Sequence, residues 1–361
     1  MAKSQGRSVS LNTEIVLPND IIIVILSWLP VKSLLKFKCV CRSWRALISS
    51  RRFIKAHLDN SKLAPYIARV ATHCSRKLGK LKLCSVNSML YESVSQVFDL
   101  SYPLESYCVL EAACDGLLLL CSNKEMILWN PSTRTWKTLP HFDLVSSFTE
   151  YDLGYDKSSD DYKVVGFYDV EQSDVIVAVY SLRNDEWKRI KNISSMAMPE
   201  AVLANGKLYY FTQPVFTSDL DILSLDLEKE EIEILQMPSY VKVNDRSSLA
   251  ASEGSLFLLC PHLSMTRADV WILDGCSVGT GNWTKFVTMP CCPDGGWTYA
   301  TFSNLLYVQK NGLVIFRGKV AAFVVYDAKD GSFSYHHIRD IGQYYYGAEY
   351  TYVESLVSPL G

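Results

Sequence analysis

Apolar positions along this 361-residue chain follow two rhythms. Between residues 16 and 58 they recur at intervals of three and four. Ile21, Ile22, Ile25, Leu26 and Leu29 fall on one helical face. Val31, Leu34, Leu35, Phe37, Val40, Cys41, Trp44, Leu47 and Ile48 continue that spacing. Leu17-Pro18-Asn19-Asp20 reads as a helix start, with Pro suited to the first helical position and an acid to the first turn. Pro30 stops this helix, and Ser43 is placed to cap a short third one. A unit of about 40 helical residues is marginal alone and needs a partner to bury its apolar faces.

Beyond residue 58 the texture changes to short β-rich runs punctuated by Gly, Asn, Asp and Ser, which predicts many antiparallel strands. An aromatic or apolar residue is repeatedly followed seven positions later by another, across a polar turn. The pairs are Trp129–Trp136, Tyr180–Trp187, Leu225–Ile232 and Tyr326–Phe333, and a fifth unit runs from Trp271-Ile272-Leu273-Asp274 to Trp283 over a longer turn. The second members, at 136, 187, 232, 283 and 333, step by 51, 45, 51 and 50. Such pairs meet across a hairpin on one face. A period near 50 with several strands per unit is that of propeller blades such as kelch. β-runs open directly after Gly116, Gly206 and Gly254. Residues 65–100 are read as a further, eroded blade, and Tyr350-Thr351-Tyr352-Val353 as a closing strand. The expected architecture is a small all-α head followed by an all-β, kelch-like β-propeller. An irregular β-sandwich is the lesser alternative. The expected units are a flexible N-terminus over 1–15, the head over 16–58 and the β body over 59–361.

Charge adds an asymmetry. The net −2 conceals a head with eight cations (Lys32, Lys36, Lys38, Arg42, Arg45, Arg51, Arg52 and Lys55) against one anion, Asp20. The head therefore carries +7 and residues 59–361 carry −10. A basic head suggests an acidic partner. Composition adds little: 48% hydrophobic and 20% charged residues exclude a disordered chain. The longest apolar run, Ile21 to Leu29, falls far short of the ~20 residues of a membrane helix, and it has no signal-peptide features. No membrane partner is expected, and the expected location is cytoplasm, nucleus or both. The 11 cysteines contain no C-x-x-C pair, and the six histidines no metal-ligand spacing, so no metal and no cofactor is expected.

Leu17-Pro18, Ile25-Leu26-Ser27-Trp28-Leu29-Pro30, Ser33-Leu34-Leu35-Lys36-Phe37 and Val40-Cys41-Arg42-Ser43-Trp44 together resemble an F-box. That resemblance implies docking to a Skp1-type adaptor, and through it to cullin and RING subunits of a ubiquitin ligase. The implied docking residues are Leu17, Pro18, Ile25, Leu26, Leu29, Pro30, Leu34, Val40, Cys41 and Trp44. Val24 and Trp28 are apolar where the family often carries Glu and Arg, which is read as drift on a helix flank, with extra contact area for the adaptor or a preference among adaptor variants as the lesser alternative. In the body, Ala112-Ala113-Cys114-Asp115-Gly116, Leu128-Trp129-Asn130-Pro131, Leu153-Gly154-Tyr155-Asp156, Asp160-Asp161-Tyr162-Lys163 and Tyr352-Val353-Glu354-Ser355-Leu356-Val357 resemble the F-box-associated domain of plant F-box proteins. In that family this domain recruits a target protein.

No phosphate-binding loop or nucleophile elbow is present, and no catalytic residue is expected. The acidic run Glu228, Glu230, Glu231 and Glu233 is read as a solvated turn. The function this predicts is the substrate receptor of an SCF-type (Skp1–cullin–F-box) ubiquitin ligase, acting by proximity. The alternatives are a protein-binding propeller outside such a ligase, or a self-incompatibility-type receptor for basic ribonucleases. Nucleic acid is disfavoured by the acidic body. Candidate target contacts are aromatics outside the repeat frame: Trp297, Tyr299, Tyr344, Tyr345 and Tyr346.

Overall fold

A computed structural model describes residues 18–63, 65–71, 80–92, 97–104, 108–143, 149–170, 174–193, 195–197, 201–214, 220–235, 243, 247–262, 266–274, 282–290, 305–317, 322–337 and 349–361. The expected flexible segment 1–15 lies outside them. The head comprises α1 (Asn19–Ser27), α2 (Val31–Phe37), α3 (Arg42–Ile48) and α4 (Arg51–Ser61). Pro18 and Pro30 sit at the N-caps of α1 and α2 with φ of −55° and −56°. A proline loses nothing there, because those positions have no intrahelical N–H partner to give up. Ser50 caps α4, its Oγ accepting from Phe53 N–H at 3.3 Å. The cap of α3 is Cys41, in extended backbone, whereas Ser43 falls inside the first turn. The last helix also runs three residues past the expected boundary at 58, to Ser61.

β1 (Tyr66–Ala71), β2 (Lys80–Ser85) and β3 (Val97–Leu100) begin the first blade, with α5 (Val86–Tyr91) between β2 and β3. β4 (Val109–Cys114), β5 (Leu117–Cys121), β6 (Met126–Asn130) and β7 (Thr135–Leu139) make the second. β8 (Thr149–Asp156), β9 (Asp161–Val170), β10 (Asp174–Ser181) and β11 (Glu186–Ile193) make the third. In the fourth, two short strands, β12 (Ser195–Ala197) and β13 (Val202–Ala204), share one edge of β14 (Lys207–Pro214), followed by β15 (Asp221–Asp226) and β16 (Glu231–Leu235). The fifth holds β17 (Ser248–Ser252), β18 (Ser255–Pro261), β19 (Arg267–Asp274) and β20 (Asn282–Pro290). The sixth holds β21 (Leu305–Val308), β22 (Leu313–Arg317), β23 (Ala322–Asp327) and β24 (Ser332–His337). β25 (Glu349–Tyr352) then returns to pair antiparallel with β1.

Among the described residues the result is a ring of six antiparallel sheets. The innermost strands touch in turn: β25 meets β4, β4 meets β8, β13 meets β17, β17 meets β21, and β21 meets β25. A sandwich has two facing sheets; here each blade packs on both neighbours. Alternate residues of one strand therefore enter different cores. Leu117 and Leu119 face the third blade, whereas Leu118 and Leu120 face the first. Phe257 and Leu259 face the sixth blade, whereas Leu256 and Leu258 face the fourth. Burial on both faces explains why these strands read as unbroken apolar runs.

The seven-residue offset is a cross-strand register. Trp129 pairs with Trp136, Tyr180 with Trp187, Leu225 with Ile232, Tyr326 with Phe333 and Leu273 with Trp283. Tyr155 pairs with Tyr162 through the same turn in the β8–β9 hairpin, an instance outside the repeat frame read from sequence. In these turns the left-handed position is held by Arg134, Asp185, Glu230, Gly331 and Asp160, at φ of 54–72°. The turn also captures its own backbone: Asn130, Asp156, Asp226 and Asp327 accept from N–H groups two residues on. The glycine signals mark tighter two-residue turns. Asp115-Gly116, Asn205-Gly206 and Glu253-Gly254 all have positive φ at both positions, matching the twist of a hairpin.

A buried ion cluster fastens the third blade to the fourth. Lys163 Nζ lies 3.1 Å from Asp156 Oδ2 and 3.3 Å from Glu230 Oε1, and donates to the Leu227 carbonyl at 2.6 Å. Glu230 also holds Lys188 at 2.6 Å. The acidic turn is thus only partly solvated: Glu230 ties two blades together. Burial pushes the Asp156 carboxyl up, but hydrogen bonds from Ser159, Ser158 and Lys163 outweigh it and hold it well below the usual carboxylate range.

At Gly116, φ +83°, a Cβ would lie 2.3 Å from Ser355 Oγ and 2.7 Å from the Val353 carbonyl; at Gly206, φ +77°, it would meet nothing within 4 Å. Gly206→Ala should cost about 1 kcal/mol, and Gly116→Ala about 2–4 kcal/mol, by urea denaturation. Because the folded Asp156 titrates below its unfolded value of about 3.9, its contribution is present above that pH and lost as pH falls. Asp156→Asn should flatten the loss of stability below about pH 4, read as the denaturation midpoint against pH.

Candidate functional site

The head carries a row of exposed apolar side chains on α1. Ile21, Val24, Ile25 and Trp28 are 46%, 58%, 51% and 62% exposed. Their spacing of three, one and three puts them on one helical face. The opposite face of α1 supplies Leu26, buried with Val31, Leu34, Ile48 and Phe53. Val40 and Cys41, between α2 and α3, are also exposed, and half-buried Trp44 packs edge-on against Phe37 at 5.5 Å.

The residues expected to dock an adaptor therefore separate into two groups. Pro18, Ile25, Pro30, Val40 and Cys41 face outward, and Leu29 and Trp44 are half-buried. Leu26 and Leu34 are 3% and 0% exposed, so they hold the helices together and present no surface. Leu17 lies outside the described residues. Val24 and Trp28, the two departures from the family pattern, belong to the outward stripe.

Cations divide in the same way. On α4, Arg51 and Lys55 face the propeller and pair with Asp160 at 2.8 and 3.2 Å, whereas Arg52 lies 3.9 Å from Asp20 of α1; Lys62, just beyond α4, pairs with Asp115 at 2.8 Å. Lys55 also lies over the Tyr155 ring. Among the described residues, Lys32, Lys36, Arg42 and Arg45 enter no ion pair. Burial and the neighbouring Arg45 lower the Lys38 ammonium. The Cys41 thiol is lowered by the Ser43 hydroxyl, 3.1 Å away, and by the Trp44 amide. The outward surface of the head is thus apolar along α1 and cationic along α2 and α3.

Asp115 and Asp160 lie in the β4–β5 and β8–β9 turns, so the head sits at the end of the ring where those hairpins turn. In an antiparallel meander the connections between successive blades leave from the other end. Trp297, Tyr299, Tyr344, Tyr345 and Tyr346 lie outside the described residues. The strand ends that flank them, Pro290, Leu305, His337 and Glu349, are at that far end.

The sequence marks Tyr352-Val353-Glu354-Ser355-Leu356-Val357 only for its resemblance to the propeller domain, with nothing that ties it to the head. Leu356 lies in the helical core, and Glu354 reaches the first turn of α2. Beside that resemblance, Val353 to Val357 runs on from the closing strand without Gly or Pro. Reactive constellations fare differently. The His262–Asp269 pair, at 2.9 Å, has both imidazole nitrogens engaged, since Arg267 Nε donates to Nδ1 at 3.3 Å. Lys285 and Thr288 bond the same carboxylate, so the group acts as a brace between β19 and β20. Glu111, on the innermost strand of the second blade, is pushed up to about 7 by burial. Among the described residues no three His, Cys, Asp or Glu side chains are placed to hold a metal ion.

Comparison with known proteins accords with this architecture. The F-box domain family matches residues 16–56, and the F-box associated beta propeller domain family matches residues 77–359. The chain is 28% identical over 342 residues to the F-box/kelch-repeat protein At3g23880 of Arabidopsis thaliana, covering 88% of this chain and 90% of that one. It is 26% identical to the F-box protein CPR1 of the same plant, covering 90% and 85%. Among solved structures, TolB from Acinetobacter baumannii aligns with a TM-score of 0.51 at 14% identity, over 84% of this chain and 73% of that one, a likeness of fold alone. The helical head and the six-sheet ring are an F-box joined to its associated propeller, and the chain belongs to the F-box proteins that carry an F-box-associated β-propeller domain.

Proposed function

We propose that this chain is the substrate receptor of an SCF-type ubiquitin ligase, with the head docking a Skp1-type adaptor and the propeller recruiting a target protein. The observation that carries this reading is the outward face of the head: an exposed apolar stripe on α1, together with exposed cations of α2 and α3 that enter no ion pair among the described residues. An apolar patch of this kind on a small, otherwise well-packed unit marks an interaction site, and its cationic border fits an acidic partner. The receptor contributes no catalytic residue of its own; it raises the local concentration of target lysines near the ligase's transfer centre. Target contacts are assigned to the end of the propeller away from the head, where the inter-blade connections leave the strands. Loops on a rigid scaffold are where binding residues concentrate. The chain then acts in the cytoplasm or nucleus.

The docking surface sets the choice of variant. Leu26→Asp would place a charge in the helical core and unfold the head, so its loss of binding would say nothing about docking. Ile25→Asp and Trp28→Asp change exposed positions. Each should leave the circular dichroism spectrum and thermal midpoint unchanged while weakening adaptor binding by about tenfold or more, measured by calorimetry. The wild-type affinity should also fall as salt rises from 50 to 500 mM, because exposed charge pairs are screened. A stable wild-type chain that does not bind the adaptor would leave a free-standing protein-binding propeller as the better reading.

A further inference from the structure

The last residues of the chain belong to two cores at once. Val353 and Val357 lie between the second and third blades, together with Leu58 of α4. Leu356, between them in sequence, points the other way and completes the helical core with Leu26, Val31, Leu34, Ile48 and Phe53. One Glu354 carboxylate oxygen accepts from Val31 N–H at 3.4 Å, across 323 positions of sequence. The backbone between these side chains is fixed from the propeller side. Asn130 Nδ2 donates to the carbonyls of Ser355 at 3.1 Å and Val357 at 2.7 Å, and Gly116 leaves no space beside Ser355. On the opposite flank, His57 Nε2 donates to the Leu29 carbonyl at 3.0 Å, tying α4 to the end of α1.

Helices of 9, 7, 7 and 11 residues are too short to persist without tertiary packing. Among the described residues, the buried side chains of the core that holds them together come from the helices themselves except one, Leu356. We propose that Glu354–Val357 is a positioning element for docking: it completes the core of the head and fixes the docking face at one orientation to the propeller. This rests on the receptor reading above. In this account the docking surface on α1–α3 depends on the far end of the chain, although no residue of the C-terminal segment touches the adaptor.

The test uses the full-length chain with Leu356→Ala and Glu354→Gln, and exposed Leu360→Ala as the control from the same segment. Amide hydrogen exchange is read helix by helix, and binding to a Skp1-type adaptor by calorimetry. Leu356→Ala should speed exchange in α1–α3 by about tenfold or more, leave β17–β24 unchanged and weaken adaptor binding by at least about fivefold. Leu360→Ala should match wild type in both. Wild-type exchange and affinity in Leu356→Ala would overturn the proposal. If Leu356→Ala does not fold, Glu354→Gln decides: faster exchange confined to the first turn of α2 supports the clasp, and unchanged exchange there overturns it. A wild-type chain that ignores the adaptor overturns the receptor reading but not the coupling, which the exchange comparison then decides alone.

Discussion

The pairing of β25 with β1 is the contact on which the rest of the molecule depends. Tyr66 lies opposite Tyr352, and Ile67, Ala68 and Arg69 continue the register to Thr351, Tyr350 and Glu349. A blade with two apolar faces cannot stand alone, because each face needs a neighbour. Closing the ring gives the first blade its innermost strand and gives Tyr352 its place in the core against the second blade. The same closure delivers Val353 to Val357 to the seam between propeller and head. One strand thus completes the ring and anchors the helices.

The head is held by apolar burial more than by charge. Arg51 and Lys55 are 74% and 56% exposed where they meet Asp160, and surface pairs of this kind contribute only about 0–1 kcal/mol each. Leu58 and Leu356, buried in two different cores, carry the larger share. The ion pairs instead set register. Asp115 and Asp160 occupy left-handed turn positions, with φ of 50° and 54°, a conformation that aspartate tolerates better than most residues. The turns that the hairpins require therefore also present carboxylates to α4. With those cations engaged, the ones on α2 and α3 are left to define the outward surface.

Much of this was legible in the sequence because period and register are local. The seven-residue offset predicted which residues would face each other across the outer hairpins, and Gly116, Gly206 and Gly254 marked the inner turns. The eroded first blade and the closing strand also appeared where the chain's ends suggested them. What was not legible is what depends on the third dimension. Helical periodicity assigns Ile25 and Leu26 to one apolar set, and only packing shows that the first faces out and the second in. Ser43 has the chemistry of a cap, but the chain enters α3 two residues earlier, at Cys41. Glu230 reads as part of a solvated run until the third blade brings Lys163 and Lys188 to it. The role of Leu356 rests on a contact across almost the whole chain, which no local pattern encodes.

If the outward face of the head is the docking surface and the propeller is held behind it, an adaptor must cover α1 and leave the blade edges bare. Side-chain footprinting with hydroxyl radicals, on the full chain with and without a Skp1-type adaptor, tests it most directly. Trp28, Val24 and Val40 should lose reactivity on complex formation, while exposed Trp136 on the edge of the second blade and Ile234 on that of the fourth keep theirs. Protection of Trp136 or Ile234 with Trp28 still reactive would place the adaptor on the propeller and contradict the account.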